Sequence, residues 1–585
     1  MSEPPLSFEE ARERLRARGY LDRGVEGAVL KGALAARTRE NAVFRAAALA
    51  ALFLAVALAL AETAFVAAAS ALGARDTAVL FLWLLAAAVA VAAAVALVLV
   101  GLARWRLRRA KEAEAATTEL GLLFGVVVGG AAALAATPAL GTAGPLAAAA
   151  VLVAVAILVF VAIRVARGVT ETLAVTTGSG LLSGPRRTGT WVAVTTLAAI
   201  ALAALFVGRK RSEKDGPLVV EANTRRVVVI AVDGWSDRYL APAAVPPLGA
   251  AKLSYAKRES DPAAFWTTVA TGEPSNVHGI GSLDLVRIAG LSSPVKPVAG
   301  TDVYLARLLP VLGLSRRESV TSSARRVPAA WEVARRAGIP SLVVNWWTTY
   351  PAGEDGGTVF SNHLFFAARA GRPLAGEGWP AEAVERAARL APRVAPEPGT
   401  VDRLVEDARG LDDFAWRSFR EELSREKPRL AMVYLPGLDI LGAALNEAQR
   451  GAADRVALAT ALGEEARRLL ALLQSKDFLG EADLVVTILD GGRCESRGDV
   501  FLAGSLVREG AKGSVEPVDI APTLLAVLGV PASRETAGKP RLDLLARGGA
   551  TTSTVASWGR RRAGSAPPVD PKEYVENLRS LGYLK

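Results

Sequence analysis

The sequence predicts an α-helical transmembrane bundle followed by a mainly parallel α/β domain, and three observations carry that reading. Up to about residue 208 the chain is dominated by Ala, Leu and Val. Beyond it, charge, Pro and Gly are spread as in a water-soluble domain. In that second half, short β-branched runs alternate with amphipathic stretches, the pattern of buried parallel strands joined by helices.

Five apolar stretches have about the length needed to cross a bilayer. They lie at 43–71, 78–103, 120–140, 146–165 and 190–208. Residues 1–42 are too long and too charged for a signal peptide. Phe8, Ala11, Leu15 and Leu21 recur there at helical spacing, predicting a cytoplasmic amphipathic helix. Cationic residues cluster beside alternate connections: Arg37, Arg39 and Arg45, then Arg104, Arg106, Arg108, Arg109 and Lys111, then Arg164, Arg167, Arg186 and Arg187. The connections near Ala74 and Gly141 are almost uncharged. This puts the N-terminus in the cytoplasm and the C-terminal domain outside a plasma (inner) membrane, as a multi-pass protein. Gly208 to Arg211 runs against that bias, and long domains translocate despite such charge. Glu62 is expected at the interface. The helices lack the intramembrane His, Asp or Lys chain of a transporter, so anchoring is their expected work.

The net charge of +11 sits largely beside the apolar segments, and no compact basic motif with interleaved aromatics accompanies it. The expected partners are the lipid bilayer and an unidentified ligand or envelope protein, not nucleic acid. The single cysteine, Cys494, excludes a disulfide within the chain and a cysteine-based metal site.

After a linker at 209–224, the α/β domain is expected over 225–545 and a tail over 546–585. Strands are predicted at Arg226–Val232, Ser341–Asn345, Leu430–Tyr434 and Leu484–Leu489. Helices are predicted at Ala329–Ala337, Val401–Lys427 and Ala453–Gln474. Asp233 and Asp490 directly follow strand runs, and Asp439 falls a few residues beyond one. Ligands of such sheets bind where strands end, so the three carboxylates are candidates for one crevice.

Several segments share an order with a known family. They are Val227 to Gly234 (VVVIAVDG), Trp266 to Ile280, Asn345 to Glu354, Gly437 to Gly442, Leu489 to Gly492, Asp519 to Leu525, and Leu578 to Leu584. From about Arg225 to Leu545 the chain resembles the alkaline phosphatase superfamily, in its type I phosphodiesterase and nucleotide pyrophosphatase branch. The resemblance implies an alkaline-phosphatase-like fold. It also implies two zinc ions held by Asp and His, which activate a Thr or Ser nucleophile.

Carried over residue by residue, the aspartates match and the other groups do not. Asp233, Asp439 and Asp490 stand at the metal-binding aspartates. Ala443, Gly491 and Lys512 stand where the resemblance implies imidazoles. The nucleophile register falls on Pro262, between Asp261 and Ala263. Ser260 serves only with a shift of register, and Thr267 and Thr268 lie too far along. The two histidines of the chain, His278 and His363, are expected to be structural. No cofactor is therefore expected, zinc included, and the aspartates are vestigial. Lys512, helped by Arg493, is expected to fill the vacated cation space. The resulting expectation is a catalytically impaired, membrane-tethered hydrolase-like protein acting in binding or structure. The alternatives are an active phosphoester or sulfoester hydrolase with an altered metal site, and a protein whose helices do the work.

Overall fold

The computed structural model describes residues 23–70, 72, 74–109, 113–142, 145–177, 218–239, 248–257, 259, 261–291, 295, 303–353, 357–392, 401–447, 451–475, 482–561 and 583. The expected fifth span at 190–208, most of the linker, the first half of the 1–42 segment and Ser260 lie outside these residues.

The chain divides into two compact units. The first contains most of four long helices: α1 (Arg23–Ser70), α2 (Ala74–Arg109), α3 (Ala113–Thr142) and α4 (Pro145–Thr177). Each has a stretch long and apolar enough to cross a membrane: Phe44–Ala67, Arg75–Arg109, Ala115–Leu134 and Val151–Ala174. α1 starts at Arg23 and runs through the first span without a break.

The second unit is built on a nine-stranded sheet in the order β11-β2-β10-β9-β1-β8-β5-β6-β7. Its strands are β1 (Val227–Asp233), β2 (Ala251–Ala256), β5 (Ser341–Val344), β6 (Thr358–Phe360), β7 (Gly378–Trp379), β8 (Leu430–Leu435), β9 (Leu484–Asp490), β10 (Arg497–Ala503) and β11 (Lys512–Ser514). The strands β9, β1, β8, β5 and β6 are mutually parallel, while β10 runs antiparallel to both β9 and β2. Every residue of β1, β8 and β9 is buried, so these strands read as unbroken apolar runs.

The pleat of β1 divides its side chains between two cores. Val227, Val229 and Ala231 join one core, beneath α5 (Pro262–Thr271), α6 (Ala330–Arg336) and α10 (Ile520–Val527). Val228, Ile230 and Val232 join the other, with α7 (Val401–Glu426), α8 (Gly437–Leu445) and α9 (Ala452–Gln474). In α7 the residues Ala408, Leu411, Phe414 and Ala415 are buried, the i, i+3, i+4 stripe of a helix lying on a sheet. A separate antiparallel pair, β3 (Asp284–Ile288) and β4 (Ser315–Ser319), leaves the main sheet between α5 and α6.

Residues beyond 545 also pack against this unit. Thr554–Val555 pairs with Ala532–Ser533, and Trp558 is buried with its indole N–H donating to the Pro531 carbonyl at 2.7 Å. A large apolar ring near the chain's end extends the core past the polar composition that marked the tail.

Candidate functional site

Two adjacent parallel strands end in register on carboxylates, Asp233 on β1 and Asp490 on β9. The third, Asp439, comes from the first turn of α8, which follows β8 on the other side of β1. All three are buried. Their convergence depends on two glycines with left-handed backbone. A Cβ on Gly234 (φ +84°) would lie 2.1 Å from the Asp439 backbone nitrogen. A Cβ on Gly492 (φ +64°) would lie 2.4 Å from Asp439 Oδ1. Only glycine permits that approach in that conformation. Asp412 on α7 holds the start of α8, since both of its carboxylate oxygens accept from the Gly437 N–H, at 3.1 and 3.2 Å.

Protein cations and donors already engage these carboxylates. Lys257, just past β2, donates through Nζ to Asp490 Oδ2 at 2.5 Å and to the Gly492 carbonyl at 3.0 Å. Its side chain is 1% exposed. The Tyr255 hydroxyl donates to Asp490 Oδ1 at 2.8 Å, and the Gly492 N–H to Oδ2 at 2.9 Å. Arg493 holds Asp439 twice, from its backbone N–H to Oδ1 at 2.8 Å and from Nε to Oδ2 at 2.9 Å. Burial works against the charge on Lys257, but Asp490 and then Asp233 outweigh it and lift its pKa above the usual value. Burial raises Asp490, with Lys257 pulling the other way. Asp439 is raised by burial and then by Asp233, with Arg493 opposing.

Three carboxyls thus face two cations, and the deficit falls on Asp233. Its partners are neutral donors: the Trp266 indole N–H at 2.8 Å and the Tyr434 hydroxyl at 2.7 Å, both to Oδ2. Its Oδ1 is buried with no hydrogen-bond partner among the described residues. Burial, then the charge of Asp490, raise its pKa from 3.8 to about 6. A raised folded value means that stability is present in full below the unfolded pKa and is lost as pH rises through about 6. The wild-type chain is therefore expected to lose roughly 3 kcal/mol more than Asp233→Asn between pH 4 and pH 7. Denaturation midpoints of both chains across that range measure it, and parallel pH profiles would refute it.

A zinc site needs about four N, S or O ligands with free lone pairs. These residues do not fit one. Five of the six carboxylate oxygens accept from protein donors. Among the described residues, no group of three or more His, Cys, Asp or Glu is arranged to hold a metal. Gly491 has no room for an imidazole, because even a Cβ there would meet Glu495 Cβ at 2.5 Å and the Arg497 carbonyl at 2.8 Å.

The expected nucleophile position is Pro262, the first residue of α5. Ahead of it Asp261 caps the helix, accepting from Ala263 N–H at 3.0 Å and Ala264 N–H at 3.3 Å. Thr267 contacts the Thr348 hydroxyl at 3.2 Å, and Thr268 donates to Glu259 at 2.7 Å. His278 Nδ1 accepts from the Ile280 N–H at 3.1 Å, and Nε2 meets the Thr268 hydroxyl at 3.0 Å. Burial, then Arg325, lower its pKa to about 3, so the ring is neutral. His363 is also buried, with Nδ1 2.7 Å from Glu377.

Lys512 requires a correction. It is exposed, on the edge strand β11, which stands three strands away from β9. At about 4.8 Å per strand that separates it from Asp490 by roughly 14 Å. The amine inside the site is Lys257. Nothing in periodicity distinguishes a buried lysine from a surface one. The alternation of β2, with Ala251, Leu253 and Tyr255 buried and Lys252 and Ser254 exposed, is the signal that could have located the strand leading to it.

No protein-family model matches the chain. No curated protein matches it. Among solved structures, it is similar to a phosphonate monoester hydrolase from Silicibacter pomeroyi, with 13% identity, 57% of this chain and 78% of that chain covered, and a TM-score of 0.30. It is also similar to a protein solved in complex with its substrate D-glucosamine-2-N,6-O-disulfate, with 12% identity, 58% and 82% covered, and a TM-score of 0.25.

Proposed function

We propose that the chain is a membrane-anchored protein of alkaline-phosphatase-like descent, in its type I phosphodiesterase and nucleotide pyrophosphatase branch, that no longer hydrolyses esters. Its outer domain binds a ligand or an envelope partner, and its helices anchor that domain in the inner membrane. The observation that carries the reading is the occupation of the carboxylate cluster by Lys257, Arg493, Tyr255, Trp266 and Tyr434. Metal charge and an activated hydroxyl supply most of the transition-state stabilisation in such hydrolysis. The internal ammonium and guanidinium neutralise carboxylates and leave no Lewis acid facing a substrate. The cationic connections support the orientation, with the sheet domain outside.

The test is turnover by the purified full chain on phosphodiester, phosphomonoester and sulfate-ester substrates, with zinc, magnesium or manganese and with a chelator. The expected result is background turnover in every case and a thermal midpoint unmoved by metal or chelator. Turnover abolished by Asp233→Asn or Asp490→Asn would establish the active-hydrolase alternative instead. A reporter fused after Leu218 that works only in the cytoplasm would reverse the orientation.

A further inference from the structure

A residue from near the end of the sequence enters this same crevice. The Arg493 guanidinium, which holds Asp439, lies 4.3 Å from the centroid of the Tyr583 ring. The Trp347 ring meets the Tyr583 ring edge-on, with centroids 5.3 Å apart and planes at 87°. Trp347 in turn packs on Tyr434 at 6.3 Å, and Tyr434 donates to Asp233. A cation on a ring face and an aromatic edge beside it are the two geometries that hold an aryl group.

The polar atoms of the crevice are left open. Asp233 Oδ1 and the Trp347 indole N–H are both sealed from solvent, and neither has a hydrogen-bond partner among the described residues. Buried groups in that state are rare and point to something that the site receives. Burial, then the nearness of Asp439, push the Tyr583 phenol well above its usual range, so it enters uncharged.

We propose that the crevice bounded by Arg493, Trp347 and Tyr434 is an aryl-binding site whose resident occupant is Tyr583, and that an external phenol-bearing ligand binds when Tyr583 leaves. This deepens the binding role proposed above and rests on it only for the use of the crevice. A hydrolase would be revealed by turnover, whereas the result below reports the crevice alone.

The experiment uses the full chain in detergent, as wild type, Tyr583→Ala and Tyr583→Phe, with p-cresol as the probe. Trp347 is one of 11 tryptophans, so its emission is isolated by difference from the same variants carrying Trp347→Phe. Tyr583→Ala is expected to lower the apparent thermal midpoint by about 3–8 °C and to shift the emission. It should bind p-cresol saturably, with a Kd on the order of 1 mM for so small a ligand, and recover most of the lost midpoint. Wild type should show at least about tenfold weaker binding, because its own ring competes at high effective concentration. Tyr583→Phe should bind p-cresol as weakly as wild type, since its ring still occupies the crevice. Equal p-cresol affinity in wild type and Tyr583→Ala, or an alanine variant with unaltered emission and midpoint, would overturn the proposal. If the alanine variant does not fold, Tyr583→Leu keeps apolar volume without the aryl face. It should bind p-cresol more tightly than wild type, and equal affinity would again overturn the proposal.

Discussion

Lys257→Met is expected to destabilise the sheet domain by about 3–5 kcal/mol, because it removes one partner of a buried ion pair and leaves the other in place. The ammonium is 1% exposed and the Asp490 side chain 0% exposed, so water cannot take over the lost contact. Methionine preserves much of the apolar stem, so the loss falls on the charge, including the contact of Nζ with the Phe265 ring, whose centroid lies 4.6 Å away. Asp490 keeps its bonds from Tyr255 and Gly492 but has no cation within reach of Oδ2. It must then take up a proton, and the variant should be most impaired at high pH. The double variant Lys257→Met, Asp490→Asn should recover a large part of the loss, since the stranded charge is gone. Denaturant midpoints of the two variants and wild type measure this. Equal stability of the single variant and wild type would sink the counter-ion assignment, as would a double variant less stable than Lys257→Met alone.

Gly234→Ala should be comparably damaging for a different reason. At φ +84° an L-residue costs about 1–2 kcal/mol. The new Cβ would also stand 2.1 Å from the Asp439 nitrogen and 2.4 Å from its Cα. Those are backbone atoms of α8, so the helix itself must move, and overpacking of that kind costs about 1–3 kcal/mol more. Moving α8 draws Asp439 away from Arg493 and opens the cluster. Gly338→Ala is the matched control, with φ +73° and nothing within 4 Å of its Cβ. It carries the conformational cost alone. The difference between the two midpoints therefore isolates the close approach of β1 and α8. If the two variants lose the same stability, the contact does not constrain the site.

The sequence by itself determined the two halves of this protein and the frame of its site. Apolar stretches of bilayer length can be read directly, because a helix in lipid must be apolar along its whole length. Four such helices appear within the described residues. The central strands were equally plain. β1, β8 and β9 are buried on both faces, and such strands are written as continuous Val, Ile and Leu. Aspartates at the ends of β1 and β9 mark where a parallel sheet presents its crevice.

What fills the crevice was decided by the tertiary structure alone. Lys257 follows a strand that joins the sheet by antiparallel pairing with β10, and no local pattern says that this lysine turns inward while Lys512 stays at the exposed edge. Trp266, Tyr434 and Tyr583 come from positions that are remote in sequence, and each reads locally as ordinary core or tail. Hydrophobic periodicity records which face of an element is buried. It does not record which polar group meets which, because a buried ion pair is fixed by the crossing of elements that the chain brings together only on folding.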